Sequence, residues 1–281
     1  MMKLPVPELD HSHVYTLARE KFVDASYQKR LTDGQPHVMA LGDAYLASAN
    51  AGLLHTVQGN PAVPPHIIDG DLQKLYKSGL LRKNSEARRI YEKLRVSSPS
   101  RVCPFCLHRI VKTLDHYLPK QKYGAYSVLP VNMVPCCRDC NSEKDEAAAS
   151  DRATSLLHPY FDNVDAAQWL NCEFDITDGY CTPTFFINAQ NVKSELLPRL
   201  IAHMEKLDLF DLYDVEGARE VNDMYDTLCD TSESSGPDGV QKLCLSMARS
   251  RARLAQNYWR AVLWRAAASS DTFVDMQWSV D

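Results

Sequence analysis

Apolar positions recur at intervals of three and four residues over much of the chain, and this pattern predicts a mainly helical protein. In an N-terminal helical region, residues 1–70, the positions Val14, Leu17, Ala18 and Phe22 follow that period. A second apolar run over residues 38–54 also predicts a helix. Residues 59–71, with three prolines and two glycines, then break regular structure.

Residues 71–100 form a basic helical segment. An apolar stripe at helical spacing runs through it, and many of the positions around the stripe are Lys or Arg. Either Gly79 or the pair Asn84-Ser85 splits the segment into two helices, and Ser85 is the expected N-cap of the second. The pattern predicts helices that bury one face and expose a basic one.

A β-hairpin and further helices are predicted after the middle of the chain, in a segment of residues 161–230. The hairpin covers residues 174–187 with Asp178-Gly179 at its centre, and residues 192–228 are helical with breaks near Pro198 and Asp211. Residues 231–239, TSESSGPDG, predict a flexible polar linker. In the C-terminal segment, residues 240–281, a helix over 240–268 suits a core position, a second nucleic-acid face or a partner surface.

Residues 101–160 depart from the helical pattern. Residues 114–117 predict a short strand, 119–127 a loop, 128–134 a return strand interrupted by Pro130, and 137 to about 149 a helix. Two Cys-x-x-Cys pairs flank this unit, and four thiolates in two such pairs can close a tetrahedral zinc site. No coordination position would stay open, so the zinc is expected to be structural. The four residues are Cys103, Cys106, Cys137 and Cys140.

Cys136 lies directly before the second pair. Its interval to Cys140 does not fit a Cys-x-x-Cys knuckle, so we expect a buried thiol, with replacement of Cys137 on the metal as the alternative.

The residues of this unit resemble the HNH endonuclease family, in the subclass whose ββα-metal fold is held by four cysteines. The matching elements are DHYLPK at 115–120, VNMVPCC at 131–137 and CRDCNSEK at 137–144, with Asn141 in place of the last histidine of the family name. The close match covers about sixty residues, from Arg101 to the HPYF element at 158–161. His158 is expected to form part of a turn there, with contact to the active site as the alternative. The resemblance implies a nuclease finger embedded in a mainly α, α+β protein.

This resemblance implies a role for each polar residue. His116 is the general base, Asp115 and Asn141 are ligands of a catalytic Mg²⁺ or Mn²⁺, and Asn132 fixes the loop and orients His116. The residue types also suit phosphodiester hydrolysis by themselves, because histidine titrates near neutral pH and carboxylate and amide oxygens are hard ligands. The plainer alternatives are a turn residue for Asn132 and a helix cap for Asn141.

Charge is distributed unevenly along the chain. The formal net charge is −5, yet residues 74–122 carry thirteen Lys or Arg and three acidic residues, a local net of +10. Such segregation favours phosphate binding beside the finger, with a solvated helix face as the alternative. The expected nucleic-acid contacts are Lys120, Lys122, Lys144, Arg88, Arg89, Lys93 and Arg95.

Together these features predict a cytoplasmic endonuclease that hydrolyses DNA. The sequence shows neither a signal-like segment nor a membrane-spanning apolar run, and five cysteines beyond the zinc set indicate reduced thiols. A looser resemblance to HNH proteins such as the PtuB subunits of Septu and retron systems implies a role in anti-phage defence beside an ATPase partner. The alternatives are cleavage of RNA, for example tRNA, and a non-catalytic zinc module that binds nucleic acid or a partner protein.

Overall fold

The computed structural model describes residues 1–20, 22–59, 67, 70–145, 149–177, 180–276 and 278. The chain forms two compact units, Lys3–Asp162 and Asn163–Asp281, the latter with Met1–Met2. As predicted, the fold is mainly α, and its described strands form two small antiparallel two-stranded sheets. All nine cysteines fall in the described part, and none forms a disulfide. Within that part, no helix combines the length and apolar character needed to span a bilayer.

Two N-terminal helices open the first unit, α1 (His11–Arg19) and α2 (Ala25–Asn50). Each begins at an aspartate whose carboxylate accepts backbone N–H groups, Asp10 for α1 and Asp24 for α2. The second helix begins well before the predicted residue 38, because its cap and a buried stripe carry it through Pro36. Buried members of that stripe include Tyr27, Leu31, Val38 and Tyr45.

The basic segment forms two helical pieces, as predicted. The short helix α3 (Asp71–Lys74) continues as a π-helical turn over Leu75–Leu80, and α4 (Glu86–Arg95) follows. The break lies at Asn84-Ser85 and not at Gly79, since the Ser85 hydroxyl accepts the amide of Arg88 at 3.1 Å and caps α4. Gly79 instead lets the π-helical turn pack closely on α1, because a Cβ at this position would lie 2.5 Å from the carbonyl oxygen of Ala18.

The middle of the chain folds in the predicted order of strand, loop, strand and helix. Strand β1 (Thr113–His116) pairs antiparallel with β2 (Met133–Cys136), and α5 (Arg138–Lys144) follows. The return strand was predicted at 128–134 but begins only at Met133, because a 3₁₀ turn, Pro130–Asn132, precedes it.

The helix of this finger is shorter than predicted. It ends at Lys144, and the next residue, Asp145, has a φ of 52° that is incompatible with helix continuation. Of the predicted extension to 149, residues 146–148 lie outside the described residues.

The second unit contains the predicted hairpin and five helices in its described residues. Residues 178–179, the predicted turn, lie outside the described residues. Between the helices the chain breaks at residues 207–208, and not around Asp211, while Pro198 lies in the first turn of its helix. The elements are β3 (Leu170–Thr177), β4 (Tyr180–Ile187), α6 (Leu197–Lys206), α7 (Leu209–Asp223), α8 (Tyr225–Ala252), α9 (Trp259–Ser269) and α10 (Asp271–Val274).

The prediction of a flexible linker at residues 231–239 was wrong. These residues lie within α8, which bends at Gly236, where φ is +60°. The hydroxyls of Thr231 and Ser234 donate to the backbone carbonyls four residues earlier in the helix. Polar side chains that often favour loops are thus accommodated on an exposed helix by hydrogen bonds to its own backbone.

The predicted helix over 240–268 is interrupted between α8 and α9. The carboxamide oxygen of Asn257 accepts the amides of Trp169 at 2.9 Å and Leu170 at 3.1 Å, which ties the interruption to the start of β3. Both tryptophans of α9, Trp259 and Trp264, are buried. Of the three alternatives for this stretch, α9 therefore takes the core position.

The half-buried His11 lies where α1 meets α2. A Cβ added at Gly42 of α2 would lie 2.5 Å from its Nδ1, and its Nε2 is buried without a hydrogen-bond partner among the described residues. Burial lowers the pKa of His11 to about 4. The folded protein therefore holds a neutral imidazole at pH 5, where the unfolded chain would be protonated.

This burial predicts acid sensitivity. Because the folded pKa is below the unfolded value, stability is lost as the pH falls from about 6.5 toward 4. Between pH 7 and pH 5, His11 should contribute about 2 kcal/mol of that loss. Urea unfolding at both pH values should show a smaller pH dependence for His11→Leu than for the wild type. Equal pH dependence in the two proteins would contradict the burial of a neutral ring.

Candidate functional site

The first cysteine pair lies in a tight loop before β1. The amide of Cys103 donates to the carbonyl of Arg109 at 2.8 Å, and the amide of Leu107 donates back to the carbonyl of Cys103 at 2.9 Å. The amide of Arg109 donates to Sγ of Cys106 at 3.4 Å. Backbone bonds thus turn both sulfurs to the inside of the loop.

The second pair lies at the start of α5. Cys137 is the N-cap, and its Sγ accepts the amide of Cys140 at 3.3 Å. An ion pair of 2.6 Å between Nε of Arg109 and a carboxylate oxygen of Asp139 joins the two loops. The helix start and the first loop are therefore held side by side.

The four cysteines form one buried cluster. All four sulfur atoms lie within 4.8 Å of one another, those of Cys103, Cys106, Cys137 and Cys140. Four buried thiols at this spacing can hold a metal ion such as zinc. Burial raises the pKa of Cys103, so a bound cation would be needed to offset the charge of several thiolates there. Cys136 is buried beside this cluster but is not one of the four.

His116, the predicted base, is buried at the end of β1. Its Nε2 lies 2.8 Å from the carbonyl oxygen of Ser127, which can only accept, so Nε2 carries the proton and Nδ1 carries the lone pair. The edge of the Tyr76 ring packs on the imidazole, with centroids 4.5 Å apart. Burial, with smaller contributions from Lys120 and Lys144, lowers the pKa of His116 to about 3. The ring is neutral at pH 7.

Asp115 is also buried, and its partner is Lys144 of α5. Nζ of Lys144 lies 3.1 Å from Oδ2 and 3.4 Å from Oδ1 of Asp115, and it donates to the carbonyl of His116 at 2.7 Å. The contact to Oδ2 is an ion pair without hydrogen-bond geometry, so Oδ2 is a buried acceptor that lacks a directed donor. Oδ2 therefore lies beside the Lys144 ammonium with no hydrogen bond among the described residues.

The prediction that Lys144 contacts nucleic acid was wrong. Its side chain is only 4% exposed, and its ammonium is occupied by β1. A buried carboxylate requires a compensating charge, and Lys144 is the residue that supplies it.

Asn132 does fix the loop, as predicted. Its Oδ1 accepts the amide of Leu118 at 2.8 Å, and its Nδ2 donates to the carbonyls of Leu118 at 3.0 Å and Tyr126 at 3.1 Å. The described contacts include none between Asn132 and the ring of His116, so any orienting effect passes through the loop. Asn141, half-buried on α5, takes part through its backbone, which bonds Cys137 and Asp145.

The predicted nucleic-acid contacts on α4 are largely paired within the helix. Glu92 binds both Arg88 and Arg95, with nitrogen–oxygen distances of 2.5 and 2.6 Å, and Glu86 binds Arg89 at 2.5 Å. Lys93 and Lys122 are exposed and Lys120 is half-buried. Pairs of this kind are weak at a protein surface, so the arginines stay able to exchange a carboxylate for a phosphate.

Four residues around the site were given no role in the site by the sequence, although contact with it was the alternative for His158. Tyr45 of α2 lies within hydrogen-bond distance of Asn132, and His158, expected to be part of a turn, contacts the same tyrosine. Ser127 and Tyr76 surround the imidazole of His116. Tyr45 and Tyr76 lie outside the matched stretch, and Ser127 lies between its matching elements. His158 lies in the HPYF element at the end of that stretch, so only the folded chain brings the four residues together.

The buried pair yields a stability prediction. Lys144→Met leaves the Asp115 carboxylate buried without a cation and should lower the free energy of unfolding by about 3 kcal/mol. Adding Asp115→Asn should recover part of that loss, because the uncompensated charge is removed. Chemical denaturation of the two single variants and the double variant measures the coupling. Lys122→Met, at an exposed position, is the control; an equally small effect at both lysines would contradict the burial of Lys144.

Comparison with known proteins yields one distant relative. No protein-family model matches the sequence. No solved structure matches it. Among curated proteins, the chain is similar to Protein ea31 of Escherichia phage lambda, with 27% identity over 299 residues that cover 97% of this chain and 99% of that protein. The likeness spans almost the whole of both chains, and it is too distant to carry an activity from one to the other.

Proposed function

We propose that this protein is a divalent-metal-dependent endonuclease of the HNH type, acting on DNA. The observation that carries the proposal is the arrangement on β1, where His116, a neutral imidazole with its lone pair on Nδ1, directly follows Asp115, a buried carboxylate, in a unit that carries the four-thiol cluster. A non-catalytic zinc module would need the thiol cluster but not this pair of polar groups.

His116 acts as the base in this proposal. Donation from Nε2 to the Ser127 carbonyl fixes the tautomer, so Nδ1 takes the proton from the attacking water. The low pKa keeps the ring unprotonated over the whole neutral range. A phosphodiester bound beside the ring brings negative charge, which favours the imidazolium that forms as the proton moves.

Asp115 and Asn141 are the residues proposed to hold Mg²⁺ or Mn²⁺. The fit rests on chemistry, because a buried carboxylate oxygen without a directed donor and a carboxamide on the adjacent helix are both hard ligands. Such an ion, when bound, offsets charge on the scissile phosphate and on the departing 3′ oxygen. Lys144 would then share Asp115 with the ion and hold its carboxylate in place. The products are 5′-phosphate and 3′-hydroxyl ends.

Zinc is the metal proposed for the four-cysteine cluster. Thiolate ligands in two Cys-x-x-Cys loops favour zinc over hard cations, and the closed set of four ligands gives the ion a structural role. It would join the loop before β1 to the start of α5, and so hold the two elements that carry Asp115 and Asn141.

The biological setting proposed is bacterial anti-phage defence in the cytoplasm, with an ATPase as partner. Its support is the sequence resemblance described above and the acidic balance of the chain outside residues 74–122, a net of −15, which suits docking of a partner better than binding of nucleic acid.

Metal content tests the zinc assignment. The purified protein should contain about one zinc per chain, measured by elemental mass spectrometry. Cys137→Ser should lose the ion and melt at a much lower temperature, because structural zinc contributes on the order of 10 kcal/mol to folding. Cys136→Ser should keep both zinc and stability, since Cys136 lies outside the four-sulfur set. Zinc loss in Cys136→Ser with retention in Cys137→Ser would reverse the ligand assignment.

Cleavage of supercoiled plasmid tests the enzyme assignment. With Mg²⁺ or Mn²⁺ the wild type should nick or cut the DNA, and EDTA should stop it. His116→Gln, whose amide can still donate to Ser127 but offers no basic nitrogen, should fold, keep zinc and cleave about 10²- to 10⁴-fold more slowly. His13→Ala, at an exposed position on α1, is the control with wild-type cleavage.

Parallel reactions with single-stranded RNA and tRNA decide the substrate class. Preferential cleavage of RNA would move the proposal to an RNA-cleaving effector. Wild-type cleavage by His116→Gln would remove the assignment of the base, and a zinc-loaded protein that binds but never cuts nucleic acid would favour the non-catalytic module.

A further inference from the structure

A buried hydrogen-bond chain reaches the proposed site from outside the finger. The hydroxyl of Tyr45, on α2, lies 3.1 Å from Oδ1 of Asn132 and 3.2 Å from Nε2 of His158. Tyr45 and Asn132 are fully buried and His158 is 1% exposed. Polar groups this deep in a protein persist only where each is matched to a partner.

The directions of these bonds follow from the donors available. The amide of Tyr160 donates to Nδ1 of His158 at 3.2 Å, so a neutral ring carries its proton on Nε2 and donates to the Tyr45 oxygen. Tyr45 has one hydroxyl proton, which it then gives to Oδ1 of Asn132. The hydrogen bonds therefore run from His158 through Tyr45 to Asn132, and both the Nε2–H of His158 and the hydroxyl proton of Tyr45 are donated.

Aromatic rings pack against the residues of this hydrogen-bond series and restrict their positions. The His158 ring packs on Tyr117, with centroids 4.2 Å apart, and Tyr45 packs on Tyr126 with centroids 5.2 Å apart. Tyr117 and Tyr126 lie near the two ends of the loop that Asn132 spans. Displacement of Tyr45 or His158 would thus change the packing of Tyr126 or Tyr117, at the two ends of the loop.

The loop in turn determines where His116 points. Asn132 binds the carbonyl of Tyr126, and the next carbonyl, that of Ser127, accepts Nε2–H of His116. Loss of a donor to Asn132 would loosen the Tyr126-Ser127 peptide, and a small displacement of a reacting group costs a large factor in rate.

We propose that Tyr45 and His158 are positioning residues for the site around His116, holding Asn132 and, through it, the carbonyl that orients the imidazole. The catalytic part of this inference rests on the proposed nuclease function, whereas the structural coupling does not. It assigns a role to α2, which belongs to a region of the sequence that offered no functional motif.

Nuclear magnetic resonance tests the coupling without reference to activity. In full-length, zinc-loaded Tyr45→Phe, the amide of Leu118, which donates to Asn132, should exchange about 10-fold faster than in the wild type. The ring ¹⁵N shifts of His116 should also move. Tyr15→Phe is the matched control, because it removes a buried hydroxyl that donates to the Leu31 carbonyl at 2.9 Å and that has no hydrogen bond to Asn132 or its loop among the described residues.

Two substitutions of His158 separate hydrogen bonding from packing. In His158→Gln the amide nitrogen reaches the position of Nε2 and can still donate to Tyr45, so it should retain wild-type exchange at Leu118. In His158→Asn the shorter side chain serves the Tyr160 amide but does not reach Tyr45, so it should behave as Tyr45→Phe does.

Steady-state cleavage supplies the catalytic measurement. Tyr45→Phe and His158→Asn should lower kcat by about 10- to 100-fold with KM unchanged, while His158→Gln and Tyr15→Phe should stay near the wild type. Unchanged Leu118 exchange and His116 shifts in Tyr45→Phe would overturn the coupling, and altered exchange with an unchanged kcat would overturn the positioning role. A wild-type protein that cuts no nucleic acid would remove the proposed function, while the exchange data would still decide the coupling.

Discussion

The carboxamide of Asn132 makes four hydrogen bonds in the protein interior, two through Oδ1 and two through Nδ2. That is the full capacity of an asparagine side chain, and each partner is a buried backbone or hydroxyl group. The irregular loop between β1 and β2 depends on this arrangement, because a loop that runs through the interior has no water to satisfy its amides and carbonyls. The two strands pair over four residues, and Asn132 directly precedes β2.

Groups from outside the finger complete its polar site. The Ser127 hydroxyl donates to the carbonyl of Leu72 at 2.7 Å, and Tyr76 of the π-helical turn covers the imidazole of His116. That turn is anchored in its own right, since Asp71 pairs with Arg30 of α2 at 2.9 Å. A π-turn is an uncommon local geometry that often marks functional regions, and here it places an aromatic edge on the proposed base. The N-terminal helices and the finger therefore form one structural unit.

In the same unit a carboxylate and an imidazole are both buried at successive positions of one strand. Asp115 and His116 are neighbours on β1, yet their environments differ, because Lys144 compensates the carboxylate while the imidazole meets a carbonyl and an aromatic ring. Both groups are withdrawn from water, and electrostatic interactions in such surroundings are stronger than at the surface. On α4, by contrast, the arginines pair with glutamates at half-buried or exposed positions, where screening keeps the pairs weak.

The amino-acid sequence by itself determined the features that depend on local spacing. Two Cys-x-x-Cys pairs, the order of strand, loop, strand and helix, the cap at Ser85 and the hairpin were all readable, because each is set by residues only a few positions apart. Only the tertiary structure decided the bend inside α8, the late start of β2, the burial of Lys144 and the approach of Tyr45 and His158 to Asn132. Tyr45 lies 87 residues from Asn132 and His158 lies 113 residues from Tyr45, so no periodicity could connect them. Whether a lysine meets solvent or a carboxylate is likewise settled by which distant segments pack over it.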